Sequence, residues 1–460
     1  MSARMRPNLL VMSDLHLGED LRPMTTPLSY LRRAAKLERE LEAFLAHYTD
    51  SRLEGRPWRL VVNGDMVDFM SVMILPGEGG SADEKQFGLA FGERQTVEKL
   101  DRVFERHPGV FQRLGEFVAA GNELIIVVGN HDVEFRFPAV QRRFVEQLER
   151  IVPGSAEPGG GAIRFCPWFY YEEERVYVEH GHQYDEYCSF DYQLHPVDDD
   201  GGVALSIAHA GIRYFTNLVP SIDPVVAETW VFVDYLRWAS AHGARAMARL
   251  CFLYAVFVWK ALSWWSSLTN RVSEAARAEK HQAALGRLGE ELQIAAEQLR
   301  ALDELRCVPV IKRLGRTMKT LFLDRLLVGG AGVALTAVAL WALPGWLRVC
   351  GVAAVWTAGA AANWLLGRGR VVSSHVALRR APEAIRAILR APFVVFGHSH
   401  YAERVPLSGG GVYFNTGAWS QEDATAAFTH LLITGDDQPH AELRQWRGGV
   451  SAPYAAPEKH

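Results

Sequence analysis

The chain has 460 residues, more than one typical domain holds, and its 49% hydrophobic and 22% charged residues exclude global disorder. A formal net charge of -4 and a pI of about 6.5 weigh against a nucleic-acid binder that depends on a broad basic face. The five cysteines are scattered and form no CxxC pair, which reads as free thiols in a reducing compartment.

In chain order, residues 1–8 are short and polar, and the apolar run that follows stops at once in Ser13-Asp14. No secretory apolar core opens the chain, so the N-terminal part is expected to stay in the cytoplasm. Residues 8–13 read as a strand that delivers Asp14-Leu15-His16, and alternation puts Asp14 and His16 on one side of an extended segment. A helix is predicted over 28–48. A second strand, 58–62, ends in Asn63-Gly64-Asp65-Met66-Val67-Asp68, and the Gly/Pro-rich 76–83 reads as a surface loop. Helical spacing covers 96–106, breaks at Pro108-Gly109 and resumes to residue 120.

The third strand runs straight into Gly129-Asn130-His131-Asp132. Gly129 permits a tight turn, Asn130 offers a neutral oxygen ligand, His131 can carry a proton, and Asp132 can orient His131. Residues 164–171 and 175–179 look like a strand pair, the second ending in His180-Gly181-His182. Residues 393–396 form a further strand that ends in Gly397-His398-Ser399-His400, and 412–415, 428–434 and 441–446 supply more strands. The tail after residue 448 is expected to be loose.

Five strand ends thus carry ligand-type residues: Asp14 and His16, Asp65, Asn130 and His131, His180, and His398 with His400. Oxygen and imidazole donors without cysteine suit two divalent metal ions, with manganese, iron or zinc all compatible. Each motif alone is weak; their joint occurrence at strand ends is what points to metal. The remaining histidines, His209 and His430 among them, are isolated and read as surface or satisfied core.

This set resembles the calcineurin-like metallophosphoesterase superfamily, whose blocks run DxH, GDxxD, GNH(D/E), HGH and GHxH. The resemblance implies an α/β fold, a four-layer αββα metallophosphoesterase sandwich with a large helical insertion. By the same resemblance one ion is held by Asp14, His16, Asp65 and His400, and the other by Asp65, Asn130, His180 and His398. His131 then contacts the phosphate and protonates the leaving oxygen, Asp132 holds its ring, and Asp68 supports the loop. The implied reaction is phosphoester hydrolysis, with in-line attack by a hydroxide held between the ions. Asn415-Thr416-Gly417 matches the family's final strand turn, a structural role.

Residues 195–390 separate the two parts of this core, 1–194 and 391–448. Within the insertion, 229–265 is aromatic and helical. Residues 271–306 read as a charged solvated strut or coiled-coil arm. Two uncharged apolar runs, 326–343 and 349–366, suggest a membrane hairpin over 322–367, the rival being a buried hairpin in a soluble lid. Small residues at Ala354, Ala358 and Ala362 suit close packing in lipid. Basic residues flank the pair (Lys312, Arg313, Arg316, Lys319 and Arg325 before it, Arg368, Arg370, Arg379 and Arg380 after it), which predicts cytoplasmic ends. Residues 249–265 hold Lys260 and read as an interfacial helix. A lid in this position also resembles UDP-2,3-diacylglucosamine pyrophosphatases, from which this chain departs by having His131 where they commonly carry Arg and by its longer insertion. The expected substrate is a lipid-linked phosphodiester or pyrophosphate. The alternatives are a soluble nucleotide phosphodiesterase or nuclease, and a non-catalytic metal-binding scaffold.

Overall fold

The computed structural model describes residues 6–22, 28–155, 161–198, 200–219, 232–268, 271–367, 373–420, 427–435 and 438–455. The chain is mixed α/β with two mixed sheets. The first has seven strands in the order β12-β11-β10-β1-β2-β3-β4: β1 (Asn8–Met12), β2 (Trp58–Asn63), β3 (Glu123–Val127), β4 (Ile163–Cys166), β10 (Thr429–Thr434), β11 (His440–Arg447) and β12 (Val450–Pro453). The second has five in the order β5-β6-β7-β9-β8: β5 (Phe169–Glu172), β6 (Val176–Glu179), β7 (Phe393–Phe396), β8 (Glu403–Pro406) and β9 (Val412–Asn415).

Strand alternation assigns each side chain to one of three apolar clusters. Leu9 and Val11, Val61, and Ile125 and Val127 point from the first sheet toward Val176, Val178, Val395 and Phe414 of the second. Their neighbours Leu10, Met12, Leu60, Val62, Leu124 and Ile126 point the other way. There they meet helices α1 (Leu28–Asp50), α2 (Glu93–Arg106), α3 (Pro108–Ala119) and α4 (Pro138–Ile151). On the far side of the second sheet, Tyr177, Val394, Phe396 and Tyr413 meet Leu285, Leu288, Leu299 and Ile385 of the insertion. Strands covered on both faces must be apolar at every position, which explains the continuous runs in β1, β2 and β3.

Three expectations are corrected. Residues 164–171 do not form one strand: Pro167 and Trp168 separate β4, in the first sheet, from β5, in the second. The tail is not loose over Val450–Pro453, which pairs antiparallel with β11 as a hairpin across Gly448 and Gly449, both at positive φ; residues 456–460 lie outside the description. Nor is 271–306 a solvated strut. It breaks at Gln293 (φ 54°) into helices Arg271–Leu292 and Ala296–Asp303, and their apolar stripes cover the second sheet. His281 and Asp303 tie them together at 3.2 Å.

Among the described residues, three helices are long and apolar enough to cross a membrane, within Ala244–Ser263, Leu323–Ala342 and Trp346–Gly367. The last two pack against each other as a hairpin, with Gly332 beside Trp356 and Gly351 beside Leu343. Of the alanines expected to suit close packing, Ala354 and Ala358 are exposed and Ala362 is half-buried. The first, the segment read as interfacial, is held to the α/β body by Leu250 and Leu253 and by Lys260, which reaches Asp83 at 2.5 Å. Arg368 and Arg370 of the predicted basic flank fall outside the described residues.

Candidate metal centre

β1, β2 and β3 run parallel, as do β6 and β7, so their carboxyl ends lie along one edge of the two sheets. All seven residues proposed as ligands come from the loops leaving those ends, the usual place for a site in a parallel sheet. Backbone bonds lock the loops together: the N–H groups of Leu15 and His16 both donate to the Asp65 carbonyl at 2.9 Å, and Gly397 N–H donates to the His180 carbonyl at 3.0 Å. The turn at Asn415 closes the assembly, its side-chain amide donating to the Gly397 carbonyl at 2.7 Å, while Ser13 Oγ lies 2.7 Å from Thr416 Oγ1.

The donor atoms converge. Asp14 Oδ1 lies 3.2 Å from His400 Nε2, which is 3.4 Å from His16 Nε2. Asp65 Oδ2 lies 3.1 Å from His180 Nε2 and 4.0 Å from His16 Nε2. Asn130 Oδ1 lies 3.1 Å from His180 Nε2, and the His180 and His398 ring centres are 5.2 Å apart. Asp14, His16 and His400 form one ligand-like group, Asp65, His180 and His398 a second, and His16, Asp65 and His131 a third. Asp65 belongs to the second and third groups, and its Oδ2 lies 4.0 Å from His16 Nε2 of the first. These buried clusters could hold metal ions, and their oxygen and imidazole donors fit hard to borderline divalent cations.

The local backbone is adapted to this convergence. Asp14, His16, Asp65, His398 and His400 all have φ between 49° and 63°, a left-handed conformation costly for a side chain and concentrated at functional sites. Close approach demands glycine at Gly129, where a Cβ would stand 2.2 Å from Asp65 Oδ1.

The electrostatics favour positive charge here. Burial disfavours charge on His180, but the adjoining carboxylates of Asp65 and Asp14 outweigh it and lift its pKa to about 9. Burial likewise opposes charge on Asp65, yet the surrounding histidines hold its carboxyl well below the usual range.

One assigned role is corrected. Asp132 does not hold the His131 ring; its two oxygens accept from the N–H groups of Gly129 at 2.7 Å and Met66 at 2.8 Å, bracing two ligand loops. The carboxylate beside His131 Nδ1 is Asp68, at 3.1 Å. Sequence adjacency points to Asp132, whereas Asp68 comes from the separate loop after β2. Of the His180-Gly181-His182 pair, His180 faces Asp65, and its Nδ1 sits 2.8 Å from the Asn63 carbonyl; His182 instead meets Gln183 at 2.9 Å.

Two further residues stand at the site without a sequence signal strong enough to find them. Asp185 Oδ2 lies 3.2 Å from His398 Nε2 and groups with Cys188. His209, on α5 (Ile207–Tyr214) inside the insertion, is buried with its ring 6.0 Å from that of His131. Burial keeps His209 neutral, lowering its pKa to about 3. No family model matches the chain, and no curated protein matches it.

Proposed function

We propose that this protein is a calcineurin-like metallophosphoesterase that hydrolyses a lipid-linked phosphodiester or pyrophosphate at a membrane surface. The observation that carries the reading is the convergence of Asp14, His16, Asp65, Asn130, His180, His398 and His400, with Asp65 Oδ2 3.1 Å from His180 Nε2 and 4.0 Å from His16 Nε2. Two sheets facing each other across an apolar layer, with helices on their outer faces, support a four-layer αββα arrangement.

Asp14, His16, Asp65 and His400 would hold one divalent ion and Asp65, Asn130, His180 and His398 the other, with manganese the expected metal. Bound there, such a pair supplies Lewis-acid neutralisation of the phosphoryl group and lowers the pKa of water. The protein's own groups do the rest. Asp68 Oδ1 lies 3.1 Å from His131 Nδ1 and would orient the ring, leaving Nε2 to face the departing oxygen. His131 N–H donates to Asp65 Oδ1 at 2.8 Å, so the acid and the shared ligand are positioned by one loop.

Support for the membrane half comes from the apolar helices. Leu323–Ala342 and Trp346–Gly367 are roughly 30 and 33 Å long at about 1.5 Å per residue, the thickness of a bilayer's hydrocarbon. Their outward side chains are apolar and open, Trp341 at 87% and Val349 at 72%. Basic residues at both outer ends favour a hairpin whose two ends and phosphoesterase body share the cytoplasmic side.

Purified in detergent and loaded with Mn2+, the wild type is expected to cleave bis-p-nitrophenyl phosphate. His131→Ala should keep its metal and lose about 10²–10⁴-fold in turnover, the usual worth of a general acid. Equal, negligible turnover in both proteins with metal bound would refute the enzyme.

A further inference from the structure

Helix α5 (Ile207–Tyr214) brings the insertion to the metal centre, and its place there is fixed at several points. Ala208 N–H donates to the Tyr187 carbonyl at 3.4 Å, on the stretch that follows His180. Buried Arg213 donates to the carbonyls of Leu89 and Gly88, each at 2.9 Å. Just beyond the helix, the Asn217 amide donates to the Met70 carbonyl at 2.9 Å, on the stretch that follows Asp65 and Asp68. A side chain on α5 is therefore held by the same loops that carry the ligand residues.

The side chain at issue is His209, wholly buried, with its ring edge-on to that of His131 and their centres 6.0 Å apart. Its own helix turn fixes its tautomer. Ser206 N–H donates to Nδ1 at 3.4 Å, while Ser206 Oγ accepts from His209 N–H at 3.4 Å, a reciprocal cap. A ring nitrogen that accepts does not carry the proton, so the hydrogen of the neutral imidazole stands on Nε2.

Among the described residues Nε2 has no hydrogen-bond partner. Burial is the main influence on the ring and keeps it neutral; the Asn130 carbonyl acts the other way, drawing a proton to the ring without closing a hydrogen bond. Phe190, whose ring centre is 5.6 Å from that of His209, offers no acceptor. A buried donor without a partner is costly, and such exceptions mark groups kept for another use.

We propose that His209 is a catalytic hydrogen-bond donor supplied by the insertion, its Nε2–H binding a non-bridging oxygen of the phosphoryl group held at the metal centre. The inference rests on the phosphoesterase reading above. During hydrolysis negative charge builds on those oxygens, and a donor already fixed in a dry site stabilises it without reorganising. A neutral imidazole suits the task because it donates a hydrogen bond and keeps its proton. His131 remains the acid toward the leaving oxygen, and His209 transfers nothing, so the balance of atoms and protons in the reaction is unchanged. Hydrogen bonds to oxygen span about 2.8 Å, so two rings centred 6.0 Å apart can both reach one phosphoryl group. The site is then complete only with α5 docked, which ties turnover to the segment that carries the apolar hairpin.

The test compares full-length wild type, His209→Asn and His209→Gln in neutral detergent micelles with Mn2+. Asparagine offers its Oδ1 to Ser206 N–H where Nδ1 stood, but puts no donor at the Nε2 position; the longer glutamine amide reaches that position. His209→Asn is expected to keep its Mn2+ affinity and to lose on the order of 10²-fold in kcat for bis-p-nitrophenyl phosphate. His209→Gln should recover about tenfold of that loss. Inorganic phosphate, titrated by calorimetry into the Mn2+-loaded proteins, should bind more weakly to the asparagine variant and regain affinity in the glutamine variant. Unchanged turnover in His209→Asn would overturn the proposal, and so would a glutamine variant no better than asparagine, which marks a packing role. A loss of turnover matched by a loss of Mn2+ would overturn it too, since His209 would then be bracing the Asn130 loop. If His209→Asn does not fold, His209→Phe, which keeps a ring against Phe190 and has no donor, takes its place with the same expected losses. If the wild type leaves the ester uncleaved, the phosphoesterase reading fails and the donor is judged by phosphate alone. Weaker binding to asparagine restored by glutamine upholds it, and equal affinities or no binding sink it.

Discussion

Gly129→Ala isolates the geometry of the centre from its chemistry, because it removes no ligand and no charge. Gly129 is buried and its φ is not in the left-handed region, so alanine meets no backbone penalty there. The new methyl would stand 2.2 Å from Asp65 Oδ1, 2.6 Å from Asp65 N and 3.0 Å from Gly64 Cα. The first distance is roughly 1.2 Å short of the 3.4 Å at which ordinary contact begins, so the Asp65 carboxylate must retreat by about that much. Metal–ligand distances tolerate only about 0.2 Å, and a misplacement of about 1 Å costs on the order of 10²-fold. The expected outcome is a Mn2+ affinity lowered about 10²-fold, with a folding cost of about 1–3 kcal/mol from overpacking. Isothermal titration with Mn2+ reads the first and urea denaturation the second. Gly286→Ala serves as control, since nothing lies within 4 Å of its Cβ in the helix Arg271–Leu292. It should leave metal affinity unchanged and stabilise the helix by roughly 0.5–1 kcal/mol. Wild-type Mn2+ affinity in Gly129→Ala would show that Asp65 is not a ligand held against Gly129, and the argument from convergence would fall with it.

Asp68→Asn should retain metal yet lose about 10–100-fold in turnover, because it weakens the partner that orients His131; Asp132→Asn, by contrast, should show its main effect as loss of metal, measured by elemental analysis of the purified protein. His430 is buried between α1 and the first sheet, and burial lowers its pKa to about 3 against about 6.5 in an unfolded chain. Between those values the unfolded state binds the extra proton, so stability is full above pH 6.5 and falls on acidification, by about 2 kcal/mol at pH 5. Urea midpoints at pH 7 and pH 5 should show that slope reduced in His430→Gln, and an unreduced slope would assign it to other groups. Replacing residues 323–367 by a short Gly/Ser linker should move the protein from the membrane fraction to the soluble fraction with its Mn2+ intact. A wild-type protein found wholly in the soluble fraction without detergent would refute the membrane reading.

The ligand residues were legible because each stands just beyond an apolar run. A strand buried on both faces must be apolar throughout, so the first acid or histidine after it marks the strand's end and the edge where a parallel sheet gathers its loops. Asp14, Asp65, His180 and His398, with His131 beside them, carry that mark in the sequence by itself, and the structure gathers them into neighbouring ligand-like groups. The apolar hairpin was legible for a similar reason, since an uncharged stretch of such length has few other uses. What only the tertiary structure decided concerns contacts between segments remote in sequence. That Asp68 rather than Asp132 faces His131 depends on how the β2 loop lies over the β3 loop, which the adjacency of Asp132 to His131 in the sequence does not report. The folding of 271–306 back onto the second sheet turns on Gln293, whose left-handed conformation no local pattern announces. Asp185 and His209 reach the centre, and Arg313 and Arg380 share one cavity, because the insertion docks on the loop after His180. Periodicity reports which face of an element is buried; it carries no information about which distant side chain lies opposite.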